Sequence, residues 1–279
     1  MKKKSPLGQP GIAPVTTHRF LDEAGDPTFY KKGRVIAVGE PGISCTFSIG
    51  MVDFRADLDA VRSKISELQV EISTDRLLNV IPSVKKRIDQ GSFFFHAKDD
   101  PAEVRMLMLR FINSIDCSFE MVVARKLPKL FAKNHHNNES EFYADLLSHL
   151  IKGKLKSGQR LVLNIASRGS STRHTNLTKA MEIARTRALK KWKPEEICST
   201  CHFNVQSPRK EPLLSVADYL CWSVQRVFER GETRFYDSIM DKASVIIDLY
   251  DFDNYEKGGN YYKRGRPLTA KNKISPPLP

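Results

Sequence analysis

The sequence predicts an α/β fold in which a mixed β-sheet is flanked by helices on both faces. Three observations carry that expectation. Period-2 and period-3.6 hydrophobic patterns alternate through most of the chain. Three strand-like segments come first, before the alternation of helices and strands begins, which implies a mixed rather than purely parallel sheet. The 279 residues, 41% of them hydrophobic, can bury a sizeable core.

The elements follow in order. His18 to Asp22, or slightly more, reads as the first strand. Arg34 to Val38 and Ile43 to Met51 read as two further strands joined across the turn-rich GEPG at 39–42. Leu58, Val61, Ile65, Leu68 and Ile72 are spaced as the buried stripe of a helix. Phe93 to Ala97 is a short apolar run of strand type. Asp100-Pro101-Ala102-Glu103 has the form of a helix start, with Asp100 as N-cap and Pro at the first helical position. That helix shows Val104, Leu107, Met108, Phe111 and Ile115 to the core. Ser118 to Ala124 is a strand, and Lys133 to Asn138 (KNHHNN) a polar loop. A helix from about Glu139 to Leu155, a strand Arg160 to Ala166 and a helix Thr175 to Lys190 come next. Ile197 to Val205 is a strand, Pro212 to Arg230 a long helix, and Phe235 to Leu249 a final helix. With no internal repeat and no clear linker, residues 18–250 are expected as one domain. Residues 1–17 are expected as a flexible basic tail and 251–279 as a basic C-terminal tail.

Composition bounds the function. No run approaches the roughly 18 apolar residues that a membrane span needs, and MKKKSPLGQPGIAPV lacks the apolar stretch of a signal peptide, so a cytoplasmic protein is expected. Five cysteines suit a reducing compartment. The lone CSTC, Cys198 and Cys201, has no second pair to complete a structural zinc site. The net charge is +13, but the two tails carry most of the excess. Within the body, residues 152–193 hold twelve Lys and Arg against the single acid Glu182. A segment this one-sided favours a polyanion partner, nucleic acid, over a merely solvated face. Arg168, Arg173, Lys179, Arg187 and Lys190 are the candidate phosphate contacts, groups that position a backbone without reading its sequence. A nucleophile elbow, a phosphate loop and a dinucleotide fingerprint are all missing.

The candidate chemistry centres on carboxylates. FLDEAGD, Phe20 to Asp26, carries an acid where an apolar strand runs out into a turn. Phe20 and Asp22 share one strand face, while Leu21 and Glu23 share the other. Asp26-Pro27 makes a turn that brings Asp26 back towards Asp22, or serves only as an Asx-type turn. Asp22 needs a partner or a metal, because an acid inside an apolar strand is costly otherwise. In the long helix, Leu213, Ala217, Leu220, Val224 and Val227 form a buried stripe. Asp218 lies beside it, on a face shared with Ser215, Trp222 and Gln225. FFFHAKDD, Phe93 to Asp100, offers His96, either a structural histidine or a ligand, and Asp99.

FLDEAGD, FHAKD and LLSVADYLCW, in that order, resemble the bacterial and phage family catalogued as domain of unknown function 3800. Its members open with a strand ending in Asp-Glu-Ser-Gly-Asp and close with a helix carrying Gln-x-Ala-Asp. The resemblance spans roughly residues 18–230 and implies a ribonuclease H-like fold. There the first strand supplies one metal-binding Asp and a late helix another, positions matched here by Asp22 and Asp218. It thereby implies a nuclease in which carboxylates hold Mg²⁺ or Mn²⁺, the metal activating water and neutralising charge at the leaving oxygen. Ala24 stands where the family has Ser, Ser215 where it has Gln, and Asn164 where relatives place an acid. Glu23, Asp26 and Asp99 are the acids available as substitutes. The competing expectation is a catalytically inert module that keeps the fold and binds nucleic acid or protein.

Overall fold

The computed structural model describes residues 15–157, 159–167, 174–197, 200–256 and 258–276. Most of the expected N-terminal tail, the expected phosphate contacts Arg168 and Arg173, and Cys198 of the CSTC pair lie outside the described residues.

The centre is a seven-stranded mixed sheet in the order β5-β4-β1-β2-β3-β6-β7. Its strands are β1 (Val15–Gly25), β2 (Thr46–Phe54), β3 (Cys117–Arg125), β4 (Gln159–Ala166), β5 (Cys201–Gln206), β6 (Ala243–Asp248) and β7 (Tyr261–Tyr262). The first three form an antiparallel unit, β1 with β2 and β2 with β3. On its other edge β1 runs parallel to β4, which runs parallel to β5. β6 is parallel to β3, and β7 closes that edge antiparallel to β6. β1 is therefore central, and its alternation sends Phe20 into one core and Leu21 into the other.

Helices cover both faces. On the Phe20 side lie α1 (Leu58–Thr74), α2 (Pro82–Asp89), α3 (Ala102–Ser114), α7 (Leu214–Arg230) and α8 (Arg234–Ile239). On the Leu21 side lie α4 (Pro128–His135), α5 (Glu139–Ile151) and α6 (His174–Leu189). A further single turn, α9 (Phe252–Tyr255), follows β6. The helical stripes fall as their spacing demands: Val61, Ile65 and Ile72 of α1, and Val104 and Met108 of α3, are buried. α7 packs most closely on β1 and β2. Gly50 of β2 makes that approach possible, since a Cβ there would collide with Cys221 Sγ and the Phe119 ring.

Six expectations need correction. Arg34 to Val38 is not a strand. Gly33 and Arg34 both take positive φ, 80° and 61°, which breaks an extended run and leaves only a bridge between Tyr30 and Ile36. The GEPG turn therefore joins no hairpin, and the third strand of the opening unit is β3. Phe93 to Ala97 pairs with no strand among the described residues. Its backbone groups are instead satisfied by side chains: His96 N–H donates to Asp100 Oδ2 (3.0 Å), Ala97 N–H to Asp218 Oδ2 (2.7 Å), and Arg105 Nε to the Ala97 carbonyl (2.7 Å).

Asp100 is not the N-cap of α3, which is Pro101. It is a fully buried acceptor for Arg87 Nη2 (2.5 Å) and the Tyr219 hydroxyl (2.5 Å). The polar KNHHNN is half helical. α4 runs to His135, His136 and Asn137 turn left-handed, and the Asn138 side chain caps α5 by accepting from Ser140 and Glu141 N–H. Finally, Phe235 to Leu249 is a short helix and a strand. Its second half, ASVIID, is rich in β-branched residues and finds an open edge at β3. From 251 to 276 the expected tail packs on the body, with β7 in the sheet, Leu268 buried, and Ile274 N–H donating to the Phe228 carbonyl (2.8 Å).

Candidate functional site

A cleft of about 730 Å³ opens where β1 ends, between α7 and the Phe93–Ala97 segment. Asp22, Glu23, Asp26, His96 and Asp218 all contribute to its lining, so the two motifs nearly two hundred residues apart meet there. Asp22 shares the Phe20 face of β1, the face that α7 covers. Its Oδ1 accepts from Glu23 N–H (2.7 Å), and its carbonyl accepts from Cys221 Sγ (3.4 Å). Asp218 projects from the second turn of α7, flanked by buried Ala217 and Tyr219. Cys221 feels both acids. Burial first, then the charges of Asp22 and Asp218, raise its thiol pKa well above the ordinary value.

Asp218 itself is raised. Burial is the main cause, and the charges of Asp100 and Asp99 add to it, against the opposing pull of His96 and the Ala97 N–H. His96 lines the cleft with Nδ1 3.4 Å from Asp99 Oδ2, and Asp99 itself stays outside the lining. The loop carrying His96 is rigidly held: Arg105 grips the Ala97 and Lys98 carbonyls, and the buried Asp100 grips His96 N–H.

Glu23 and Asp26 also line the cleft, each in its own surroundings. The Glu23 residue is buried, on the opposite strand face beside Tyr143. Burial, then the Glu23 charge, push the Tyr143 hydroxyl pKa far up. Asp26 is a turn former, as its Asx alternative required. Oδ1 accepts from Thr28 N–H (3.0 Å), and Oδ2 accepts from Ser44 N–H and Oγ (both 2.8 Å). The buried Lys126 completes it, with Nζ 3.1 Å from Oδ1. Burial alone would raise the Asp26 pKa, but the Ser44 hydrogen bond and the Lys126 charge outweigh it and hold it low. With both oxygens engaged this way, Asp26 fits a structural role better than a metal ligand. Gly25 takes φ 89° at this corner, where a Cβ would collide with the Thr46 carbonyl.

Asn164 sits below the cleft rather than in it. Its Nδ2 donates to the Arg19 carbonyl (3.3 Å), and its Oδ1 accepts from Asn204 Nδ2 (3.0 Å). The β4 residue that reaches the cleft is Ala166, one step beyond the Leu21–Ile165 pairing. β4 therefore adds no acid to the site.

The basic candidates on α6 and just after it are not in the cleft lining. The helix packs on α5, across the sheet from α7, and Lys179, Arg187 and Lys190 do not line the cleft. Lys179 pairs with Glu141 (2.8 Å), and Arg187 is bound by Asp145 and Ser148. The cations that do line the cleft are Lys98, Arg209, Arg226 and Arg230. Of these, Arg226 is committed to Glu232. The other three make no ion pair among the described residues. Sequence reading missed them because they come from three separated segments. α7 was more legible: Asp218, Trp222, Gln225 and Glu229 follow the three- and four-residue spacing of one helix face. Glu229 ties that face to β2, accepting from Thr46 N–H (2.8 Å) and Oγ1 (2.6 Å).

The donor set allows a hard cation. Mg²⁺ prefers oxygen, keeps several waters, and is commonly held by one or two carboxylates plus substrate phosphates. Asp22 and Asp218 fit that minimal arrangement. A fuller protein cage is not present: among the described residues no group of three or more His, Cys, Asp or Glu is gathered to hold a metal. No protein-family model matches the chain, and no curated protein matches it. Among the described residues no helix is long and apolar enough to cross a membrane.

Proposed function

We propose that the protein is a divalent-metal-dependent nuclease with a ribonuclease H-like fold. The observation that carries this reading is the meeting of Asp22, from the first strand, and Asp218, from the late helix, in one cleft. The antiparallel three-strand start within a mixed sheet supports it as well. Asp22 and Asp218 are the residues that hold Mg²⁺ or Mn²⁺. A divalent ion held there would supply activation of water and neutralisation of charge on the leaving oxygen. Lys98, Arg209 and Arg230 draw the nucleic-acid backbone over the carboxylates. The Ala97 N–H orients the Asp218 carboxylate, and the rigid His96 loop walls that side of the cleft. The test is hydrolysis of labelled DNA and RNA, single and double stranded, with Mg²⁺ or Mn²⁺. Asp22→Asn and Asp218→Asn proteins with unchanged circular dichroism should each lose about 100-fold or more in rate. Undiminished cleavage by both variants would remove the basis of the proposal.

One observation favours a second reading, an inert ribonuclease H-like module that binds nucleic acid or protein. β4 contributes Ala166 to the cleft and turns Asn164 into a partner of Asn204, so this strand brings no acid to the site. That reading expects salt-sensitive binding without metal-dependent cleavage. Calorimetric titration with Mn²⁺ separates the two, since an inert module has no site that Asp22→Asn abolishes.

A further inference from the structure

Within FFFHAKD the three phenylalanines part ways. Phe93 and Phe95 are buried in the core, while Phe94 alternates out and lines the cleft. It is not left bare. The Arg209 guanidinium lies 4.9 Å from its ring centroid, and that of Arg87 lies 5.7 Å away. Both partners are fixed from behind. Arg87 is locked to buried Asp100, and Arg209 Nη1 donates to the Gln90 carbonyl (2.9 Å). No carboxylate pairs with Arg209 among the described residues. A planar aromatic and a planar cation thus stand together on the wall of a cleft whose lining includes Asp22 and Asp218.

The ligand chemistry follows from that juxtaposition. Asp22 and Asp218 repel a bare phosphodiester, so the rim must supply compensating charge, as Lys98, Arg209 and Arg230 do. A Phe–Arg stack offers more than charge: it is a surface for the face of an unpaired base, which can lie on the ring or on the guanidinium plane. A duplex has no free base face to offer, because its bases already stack on one another. We infer that the cleft takes a single-stranded nucleic acid, with one base seated on the Phe94–Arg209 stack while the adjoining backbone crosses towards Asp22 and Asp218. This inference rests on the nuclease reading for the role of the carboxylates, but its binding test does not need catalysis.

The test uses the full chain in EDTA, with fluorescein-labelled single-stranded DNA, single-stranded RNA and the matching duplexes, read by anisotropy. Single strands should bind at least about tenfold more tightly than duplexes, and Phe94→Leu should weaken them about tenfold. Phe94→Tyr should restore binding. A 2-aminopurine-containing strand bound to the unaltered protein should show the fluorescence quenching of a stacked base, a readout that needs no variant. Equal affinity for duplex, or an unquenched probe with Phe94→Leu binding as the parent does, would overturn the inference. The two proposals fail separately. Stacking without cleavage in Mg²⁺ or Mn²⁺ leaves this inference standing and removes the nuclease. Cleavage confined to duplexes keeps the nuclease and removes this inference. Preference between the DNA and RNA strands identifies which sugar the cleft accepts.

Discussion

Asp145 and Asp218 sit on helices packed against opposite faces of the same sheet, and their surroundings drive them in opposite directions. Asp145, on α5, is enclosed by donors: Arg187, His135 Nε2 (3.2 Å) and the Tyr250 hydroxyl (3.1 Å). Burial would raise its pKa, but those hydrogen bonds and the Arg187 charge hold it far below the usual carboxylate range. Asp218, on α7, is raised by burial, with neighbouring acids adding to the effect. One carboxylate is spent on the fold, while the other is kept at a cost to it. A carboxylate whose charge burial disfavours, lining a cleft, is a candidate functional group, although structural ion pairs also shift pKa values. The face that carries Asp145 accounts for part of the basic stretch 152–193: three of its ten described cations pair with acids there, Arg187 with Asp145, Lys179 with Glu141 and Lys154 with Glu120.

The largest effect that would break this contrast belongs to Asp145. Asp145→Asn strands Arg187 and should cost about 3 kcal/mol, lowering the melting temperature by roughly 6–12 °C. It should leave any nucleic-acid binding unchanged. A protein that melts normally but loses binding would put the polyanion site back on the α5–α6 face.

Acid sharpens the same comparison through His149. Burial first, then the Arg187 charge, lower its pKa to about 4 from an ordinary 6.5. Protonation is therefore harder in the folded chain than in the unfolded one. The stability this contributes is complete above pH 6.5 and is lost as pH falls towards 4. Between those limits His149→Gln should spare up to about 3 kcal/mol of the acid destabilisation, read from melting curves across pH. Parallel curves for both proteins would remove His149 as a source of acid sensitivity.

The smallest effect on stability should come from Asp218. Its raised pKa means that the folded state prefers the neutral form, so its contribution improves as pH falls. At pH 7, Asp218→Asn should melt at the same temperature as the parent or slightly above it. Mn²⁺ should raise the melting temperature of the parent and not that of the variant. A marked loss of stability in Asp218→Asn would make this acid structural, like Asp145.

Much of this was readable from local pattern. Alternation along FLDEAGD was enough to send Asp22 and Glu23 to opposite faces, because a strand has a period of two whatever it pairs with. The stripes of α1, α3 and α7 were equally legible, as was the turn at Asp26. Periodicity records which residues are buried, however, and not what they are buried against. Phe93 to Ala97 alternates like a strand, yet its N–H groups go to Asp100 and Asp218 instead of a neighbouring strand. ASVIID became a strand because β3 left an edge for it.

The sequence by itself determined the α/β class, a first strand carrying Asp22, and the face of the late helix that carries Asp218. Only the tertiary structure decided that Arg187 answers Asp145 from the neighbouring helix on the same face of the sheet, and that Lys98, Arg209 and Arg230 rim the cleft. The reason is one of range: hydrophobic period is written in consecutive residues, whereas charge pairing depends on distances that exist only after the sheet has closed.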